Sequence, residues 1–520
     1  MIRFFKKQRL AARGLSCGKT RRVTSGRLVI SSLEESLILR GAVILTAATV
    51  LLFLCFTGEH PDPSRHLLYV LMILALAVIQ PIVRCDNSLG RNSRFALFLG
   101  LILLQICFGE FLATQVPAGH LDARFLPLII PYAFAPLTLS VLLGAEAGLT
   151  ACIVGALWWS VLQPGIDTDA LLLALTGGLV AVLSTLRVRR RSRLLRAGFY
   201  SSLALWFVAV VSGVIAIQWD DLRNNDWSQI GLESGIILGI GALTAFLVSG
   251  ALPLLEQFFG ITTEISWLEM ADLNHPLLRR LSMEAPGTYH HSLAMANLAE
   301  ACAEKVGANA TLCRVSAYFH DIGKLVKPEY FTENMPSGHN PHDELTPTMS
   351  TLVILSHVKE GVDLALRNKL KRRIIDGIKQ HHGTTLVEYF YQRACRQERD
   401  ARAGGSLMNI RPEDIPKVSE ESFRYAGPKP QTIEAVILGL ADAAESASRS
   451  LERPTLQRLD DLVHDLLQDR INDGQYDEAP VTMLQLQEIA ATLVSCLASM
   501  HHSRIAYRKR ESAEAVLPTP

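Results

Sequence analysis

FLPLIIPYAFAPLTLSVLLGAEAGLTACIVGALWWSVLQP, residues 125–164, contains a single charged residue, Glu146. A helix crossing a bilayer takes about 20 predominantly apolar residues, so this run is too long for one span. GAEAG at 144–148 is the natural turn that divides it into two. Buried in water-soluble protein, a run of this length would have few partners. In lipid, consecutive spans need none.

Runs of the same kind lie on both sides of it. Upstream are GAVILTAATVLLFLCF (41–56), LLYVLMILALAVIQPIV (67–83) and FALFLGLILLQICFGEFLA (95–113). Downstream are ALLLALTGGLVAVLSTL (170–186), FYSSLALWFVAVVSGVIAIQW (199–219) and LESGIILGIGALTAFLVSGALPLL (232–255). The total is eight spans, a polytopic transmembrane helix bundle over 41–257. The hydrophobic fraction of 49% and the mean hydropathy of +0.23 are concentrated there, while most charge lies outside.

Loop arginines and lysines set an orientation. The basic segment 1–40 carries Lys6, Lys7, Arg21 and Arg22 among others; later loops carry Arg84, Arg91 and Arg94, then a cluster from Arg187 to Arg196. The loops between are poor in basic residues and hold Asp167, Asp169, Asp220, Asp221 and Asp226. This alternation puts both termini on the cytoplasmic side, as an even number of spans requires. The first segment has a long basic head and no small-residue cleavage site, so it reads as an uncleaved anchor rather than a signal peptide.

Polar groups within the spans are few: Gln80, Gln105, Glu110 and Glu146. Such groups are costly in lipid and face a bundle interior or a cavity. Glu110 is the candidate for ligand sensing. No span carries a broken-helix pattern or charged relay, which argues against a carrier.

From 258 the character changes, and 258–500 reads as a cytosolic all-helical domain followed by a patternless, flexible tail at 501–520. Apolar residues recur at helical spacing in LAMANLAEACAEKV (293–306) and ATLCRVSAYF (310–319), and strand signals are nearly absent. Thr432 is a candidate helix cap. The polar, Gly- and Pro-punctuated stretch 393–425 reads as an exposed inserted loop with at most a short helix. The whole chain is therefore all-α. Its nine cysteines are scattered without a CxxC pair, which disfavours a disulfide scaffold or a thiolate zinc module. A net charge of +1 offers no basic field for a nucleic acid polymer.

Chemistry enters with YFHDIGK, 318–324. A His-Asp pair alone means little, since His342-Asp343 and His464-Asp465 also occur. What distinguishes His320-Asp321 is its company in the same domain: His291, His357, His381-His382 and Asp442. No single helix gathers them, but several helices of one bundle can. Imidazole and carboxylate without thiolate suit iron or manganese, with zinc a further option. Two cations account for seven such residues better than one, with Asp321 as the bridge. A pair of this kind holds a bridging hydroxide and grips both nonbridging oxygens of a phosphodiester. Lys324, three residues after Asp321, is placed to neutralise phosphate charge or assist the leaving oxygen, and Gly323 would let a phosphate approach the backbone or equally serve as a plain helix-end glycine.

HDIGK with APGTYHHS upstream, then NPHDELTPTMS, QHHGTT, GPKPQT and LGLADAAESASRS, resembles the membrane-anchored 7TM-HD phosphodiesterases of bacteria, within the HD-domain metal-dependent phosphohydrolase superfamily. The likeness runs from about 265 to 500; the membrane half matches in layout. It implies an enzyme of the bacterial inner membrane that linearises cyclic di-AMP to pApA with two divalent metal ions, Fe or Mn. By motif position, His291, His320, Asp321 and Asp442 would hold one ion, and Asp321, His357, His381 and His382 the other. Family members usually carry a large extracytoplasmic domain after the first span; here TGEHPDPSRH (57–66) takes its place.

The partners this implies are a cyclic dinucleotide and the lipid bilayer, with a homodimer left open. The alternatives are an HD hydrolase of another nucleotide (cyclic di-GMP or a guanosine alarmone) and a non-catalytic nucleotide-binding membrane sensor. The GYP tripeptide expected of the cyclic di-GMP branch is missing, because GTTLVEYF follows the His-His pair.

Overall fold

A computed structural model describes residues 33–34, 36–57, 63–83, 90–162, 168–186, 188, 190–335, 340–405, 417–452 and 454–502. The basic segment up to residue 32, the tail from 503 and Arg84 and Asp167 in the loops lie outside the described residues. The chain divides into two compact units, Met1–Ser266 and Trp267–Pro520. Both are helical, and among the described residues no strand forms beyond an isolated antiparallel bridge, Leu386 with Arg424.

In the first unit the long helices are Leu37–Thr57, Pro63–Val83, Asn92–Thr114, Ala145–Leu162, Thr168–Thr185, Ser192–Val211 and Trp227–Phe259. Helix is the economical solution here, because each segment satisfies its own backbone groups without water. Among the described residues seven segments are long and apolar enough to cross a membrane by length and composition, Ala123–Leu143 among them but not Pro63–Val83 or Ala145–Leu162. Six belong to this unit. The seventh, Met483–His501, belongs to the other.

The 125–164 run does split at GAEAG, and on a single residue. Phe134–Leu143 ends at Gly144, whose φ of 104° suits only glycine, and Ala145 starts the next helix. Glu146 sits exposed in that helix's first turn. Small residues allow close packing elsewhere. A Cβ on Gly198 would meet the Gly241 carbonyl oxygen at 2.7 Å, and one on Gly241 would overlap Ser202.

The upstream half corrects the expectation of unbroken spans. It consists of a short turn, Leu126–Ile129, and the separate helix Phe134–Leu143, with Pro131 in the gap. Gln105, 4% exposed, splints this break: its carbonyl accepts the Ala135 N–H at 2.7 Å and its amide donates to the Tyr132 carbonyl at 3.4 Å. Proline supplies no N–H, so the chain around it needs partners from a neighbour. Glu110 accepts the Trp158 indole N–H at 2.8 Å. The side chain of Gln80 lies outside the description.

The second unit packs around Met295, Ala299 and Cys302 of Pro286–Val306, Val315 and Phe319 of Ala310–Phe319, Ile374 and Ile378 of Arg372–Gln380, and Val436 and Leu440 of Ile433–Arg449. All of these are shielded from water, and each large apolar side chain so buried contributes about 1.5–3 kcal/mol. Asn309 and Thr432 cap their helices by accepting from Leu312 N–H and Ala435 N–H. Met483–His502 closes the core with Leu486, Ile489, Leu493 and Leu497.

Of the stretch 393–425, residues 406–416 lie outside the described residues, and the described parts are not a free loop. Its first part continues the helix Glu388–Gly405, and its last part returns as a strap whose Phe423 is buried against Phe390 and Ala394. Alternating arginine and acid hid the helix, because its apolar contacts are few and supplied by residues far apart in sequence.

Candidate metal centre

His291 lies in the second turn of Pro286–Val306, between Thr288 and Met295, all three buried. His320 and Asp321 sit where Ala310–Phe319 stops, so the pair leaves the helix end together. A tight 3₁₀ turn, Ile322–Val326, follows rather than more α-helix. Residues three apart eclipse in such a turn, and Lys324 Nζ reaches Asp321 Oδ2 at 2.7 Å.

Two glycines set the spacing of the elements. A Cβ on Gly323 would collide with the His357 carbonyl oxygen, and one on Gly439 with that of His381. Gly323 therefore lets the 3₁₀ turn pack against the backbone at His357. Gly439 lets Ile433–Arg449 lie against His381, which brings Asp442 to the centre one turn later.

The seven residues converge. Asp321 Oδ1 lies 3.4 Å from His357 Nε2 and 3.7 Å from His381 Nε2, while its Oδ2 lies 3.2 Å from His320 Nε2. Asp442 Oδ1 lies 3.0 Å from His291 Nε2 and 3.7 Å from His320 Nε2; its Oδ2 lies 3.7 Å from His382 Nδ1. Three groupings have ligand atoms close enough for a shared ion: His291, His320 and Asp442; His320, Asp321 and His381; His357, His381 and His382.

This arrangement fits cations. Nδ1 of His320, His357 and His381 each lies 2.6–2.9 Å from a backbone carbonyl three residues earlier, of Ala317, Ile354 and Ile378. A proton on Nδ1 leaves Nε2 with a lone pair facing inward. His291 Nδ1 is held by Glu445 Oε2 at 2.5 Å. Nε2 of His357 and His381 face each other at 3.4 Å, and His320 Nε2 and Asp321 Oδ1 are buried without a hydrogen-bond partner. Buried polar atoms are seldom left so.

Electrostatics agree with the geometry. Burial alone would raise the carboxyl pKa values, but His320 and Lys324 hold Asp321, and His291 and His320 hold Asp442, well below the usual range. Burial works against a charged His320, yet Asp321 and Asp442 outweigh it and push its pKa up to about 10. Burial and the charge on His320 press His381 down to about 3. His382 falls well below its ordinary value by burial and its neighbour His381. Some rings are thus kept neutral while one takes the place of positive charge among carboxylates.

Other expected groups stand apart. His342 is buried but bonds the Tyr330 carbonyl, and His464 caps a carbonyl on an exposed helix face. Lys324 is shared between Asp321 and Glu333, each at 2.7 Å. Three residues at the centre escaped the sequence reading: Glu445, Glu333 and Tyr425, which stacks on His382 with ring centroids 4.3 Å apart. Glu445 had a signal, being one helical turn beyond Asp442. Tyr425 had none, lying in the stretch taken for a loop.

Residues 35–263 match the family described as the 7TM receptor with intracellular HD hydrolase, and residues 288–447 match the HD domain. The chain is 34% identical over 471 residues to a cyclic-di-AMP phosphodiesterase, PgpH, of Listeria monocytogenes, covering 90% of this chain and 58% of the relative. It is 39% identical over 337 residues to the PgpH of Bacillus subtilis, covering 64% and 44%. It thus spans about half the length of the curated relatives it matches. The crystal structure of the L. monocytogenes PgpH HD domain is 44% identical, with a TM-score of 0.40, covering 44% of this chain and all of that one.

Proposed function

We propose, from the premise that the chain belongs to the 7TM receptors with an intracellular HD hydrolase, that it is a membrane-tethered, metal-dependent phosphodiesterase that opens cyclic di-AMP to pApA. The relatives that carry this activity in their names share 34–39% of aligned residues with it. The observation that carries the reading is Asp321, whose two oxygens face different imidazoles, with His320 Nε2 beside it lacking any hydrogen bond.

In this reading His291, His320, Asp321 and Asp442 hold one divalent cation, and Asp321, His357, His381 and His382 the other. Nitrogen and oxygen donors without thiolate favour iron or manganese. When bound, such cations make water acidic enough to act as a nucleophile near neutral pH and neutralise the phosphate oxygens. The protein supplies the rest. Nδ1 partners aim four of the five imidazoles, those of His291, His320, His357 and His381, and buried carboxylates balance the site's charge. Lys324, held between Asp321 and Glu333, keeps Asp321 ionised and oriented, and adds positive charge where a phosphate would sit.

The first unit anchors this site at the bacterial inner membrane as a multi-pass bundle, with both termini and the HD domain on the cytoplasmic side. The test is purified full-length chain in detergent with Mn²⁺ or Fe²⁺ and a panel of cyclic dinucleotides. Formation of pApA from cyclic di-AMP, absent after chelation, is the expected result. Turnover of cyclic di-GMP alone would transfer the reading to guanine nucleotides; no turnover of any would leave a nucleotide sensor.

A further inference from the structure

Five imidazoles face the centre, and four have a ring nitrogen tied down: His291 by Glu445, and His320, His357 and His381 by backbone carbonyls. His382 differs. Among the described residues neither of its ring nitrogens makes a hydrogen bond, and Asp442 Oδ2 stands 3.7 Å from its Nδ1. Its side chain is also the most open of the five, 20% exposed against 5% or less. A ligand that can rotate loses entropy when an ion fixes it, which weakens the ion's binding.

Three rings border it: His381 at 4.0 Å between centroids, His357 edge-on at 5.2 Å, and Tyr425, the one of the three outside the proposed ligand set. Tyr425 lies against His382 at 29° between ring planes, and meets His357 edge-on at 6.0 Å. We propose that Tyr425 is the positioning residue of His382, its stacked ring standing in for the hydrogen bond that orients the other four imidazoles. The second cation's affinity then depends on the stack. This rests on reading His357, His381 and His382 as its ligands.

The strap carrying Tyr425 is tied to the segment that follows His382 itself. Tyr425 N–H donates to the Thr385 carbonyl at 3.0 Å, and Val387 N–H to the Phe423 carbonyl at 2.9 Å. Arg424 donates to the Thr384 carbonyl at 2.9 Å and grips both oxygens of Asp473 at 2.9–3.0 Å. Ligand and ring are thereby fixed to one another by bonds that bypass the ion. A bidentate arginine–carboxylate pair is a directional anchor rather than a loose surface contact. The helix Glu388–Gly405 and the strap together form a device that delivers one ring to one ligand.

The experiment is Mn²⁺ titration of chelator-stripped full-length chain in detergent, counting bound ions by elemental analysis and the second affinity by electron paramagnetic resonance. Wild type is expected to bind two ions. Tyr425→Phe keeps the face and binds both as wild type does. Tyr425→Ala, and Tyr425→Leu as a bulk-preserving control, keep the first ion and lose about 10–100-fold in affinity for the second, the usual effect of removing a ligand's support. Wild-type affinity for both ions in the Ala and Leu variants overturns the proposal, as does a Phe variant as weak as Ala. A wild type that binds no Mn²⁺ overturns instead the ligand assignment beneath it.

Discussion

Gly323 packs directly against the main-chain carbonyl of His357, leaving no room for a Cβ between them. One residue after Ile322 and two after Asp321, this contact sets the distance between the carboxylate and the imidazole 3.4 Å away. Overpacking a buried contact costs about 1–3 kcal/mol. Gly323→Ala is therefore expected to lower the thermal midpoint of the full chain and to reduce bound manganese below two per chain. Wild-type melting with two ions would show that the helices can part without harm.

Asp321→Asn keeps shape and removes the charge that faces His320, His357, His381 and Lys324. Lys324 retains Glu333, so the fold should survive. Metal content and hydrolysis should both collapse, turnover by roughly 10³-fold or more, given that metal polarisation is worth several kcal/mol. Circular dichroism together with metal analysis checks this. Near-normal turnover in the folded variant would exclude Asp321 as the bridge.

Gln105→Leu strands the Ala135 N–H at the broken span and removes the amide that donates to the Tyr132 carbonyl. Each buried backbone group left without a partner costs about 1–3 kcal/mol. The variant is expected to unfold several degrees earlier in detergent. Gln105→Glu, which still accepts from Ala135, should lose less. Equal stability of wild type and the Leu variant would mean the break needs no splint.

Burial lowers the pKa of His275 below its ordinary value, with Asp272 acting in the opposite sense. Its Nδ1 accepts the Leu277 N–H at 3.3 Å, capping Pro276–Glu284. Protonation would remove that acceptor. As pH falls, the unfolded chain takes up this proton first, so the stability His275 contributes is present above about pH 6.5 and is lost as pH drops toward the folded value. The unfolding midpoint of wild type should therefore decline more steeply between about pH 7 and 5 than that of His275→Asn, which keeps a cap without titrating. Parallel pH curves for the two would rule this out.

Much of this architecture could be read from the chain because the signals were local. Spans announce themselves by apolar length, and Gly144 by the turn it must make. The residues proposed as ligands, His291, His320, Asp321, His357, His381, His382 and Asp442, stood out by residue type and order, and the structure draws them to one place. What stayed hidden depends on contacts between distant residues. The break at Pro131 looked like continuous apolar sequence because its remedy, Gln105, sits on another helix. Tyr425 could not be found from charge or periodicity, since its role comes from a ring 43 positions earlier, at His382.

The Met483–His502 helix is apolar enough for a bilayer, yet its greasiest face is occupied by the protein's own interior. Tallied as a crossing by hydropathy, it would turn an even count odd and export the chain's last residues. A reporter enzyme fused after His502 would read that parity directly, and a core-packed helix joined to the proposed even-span topology is expected to give active signal inside the cell.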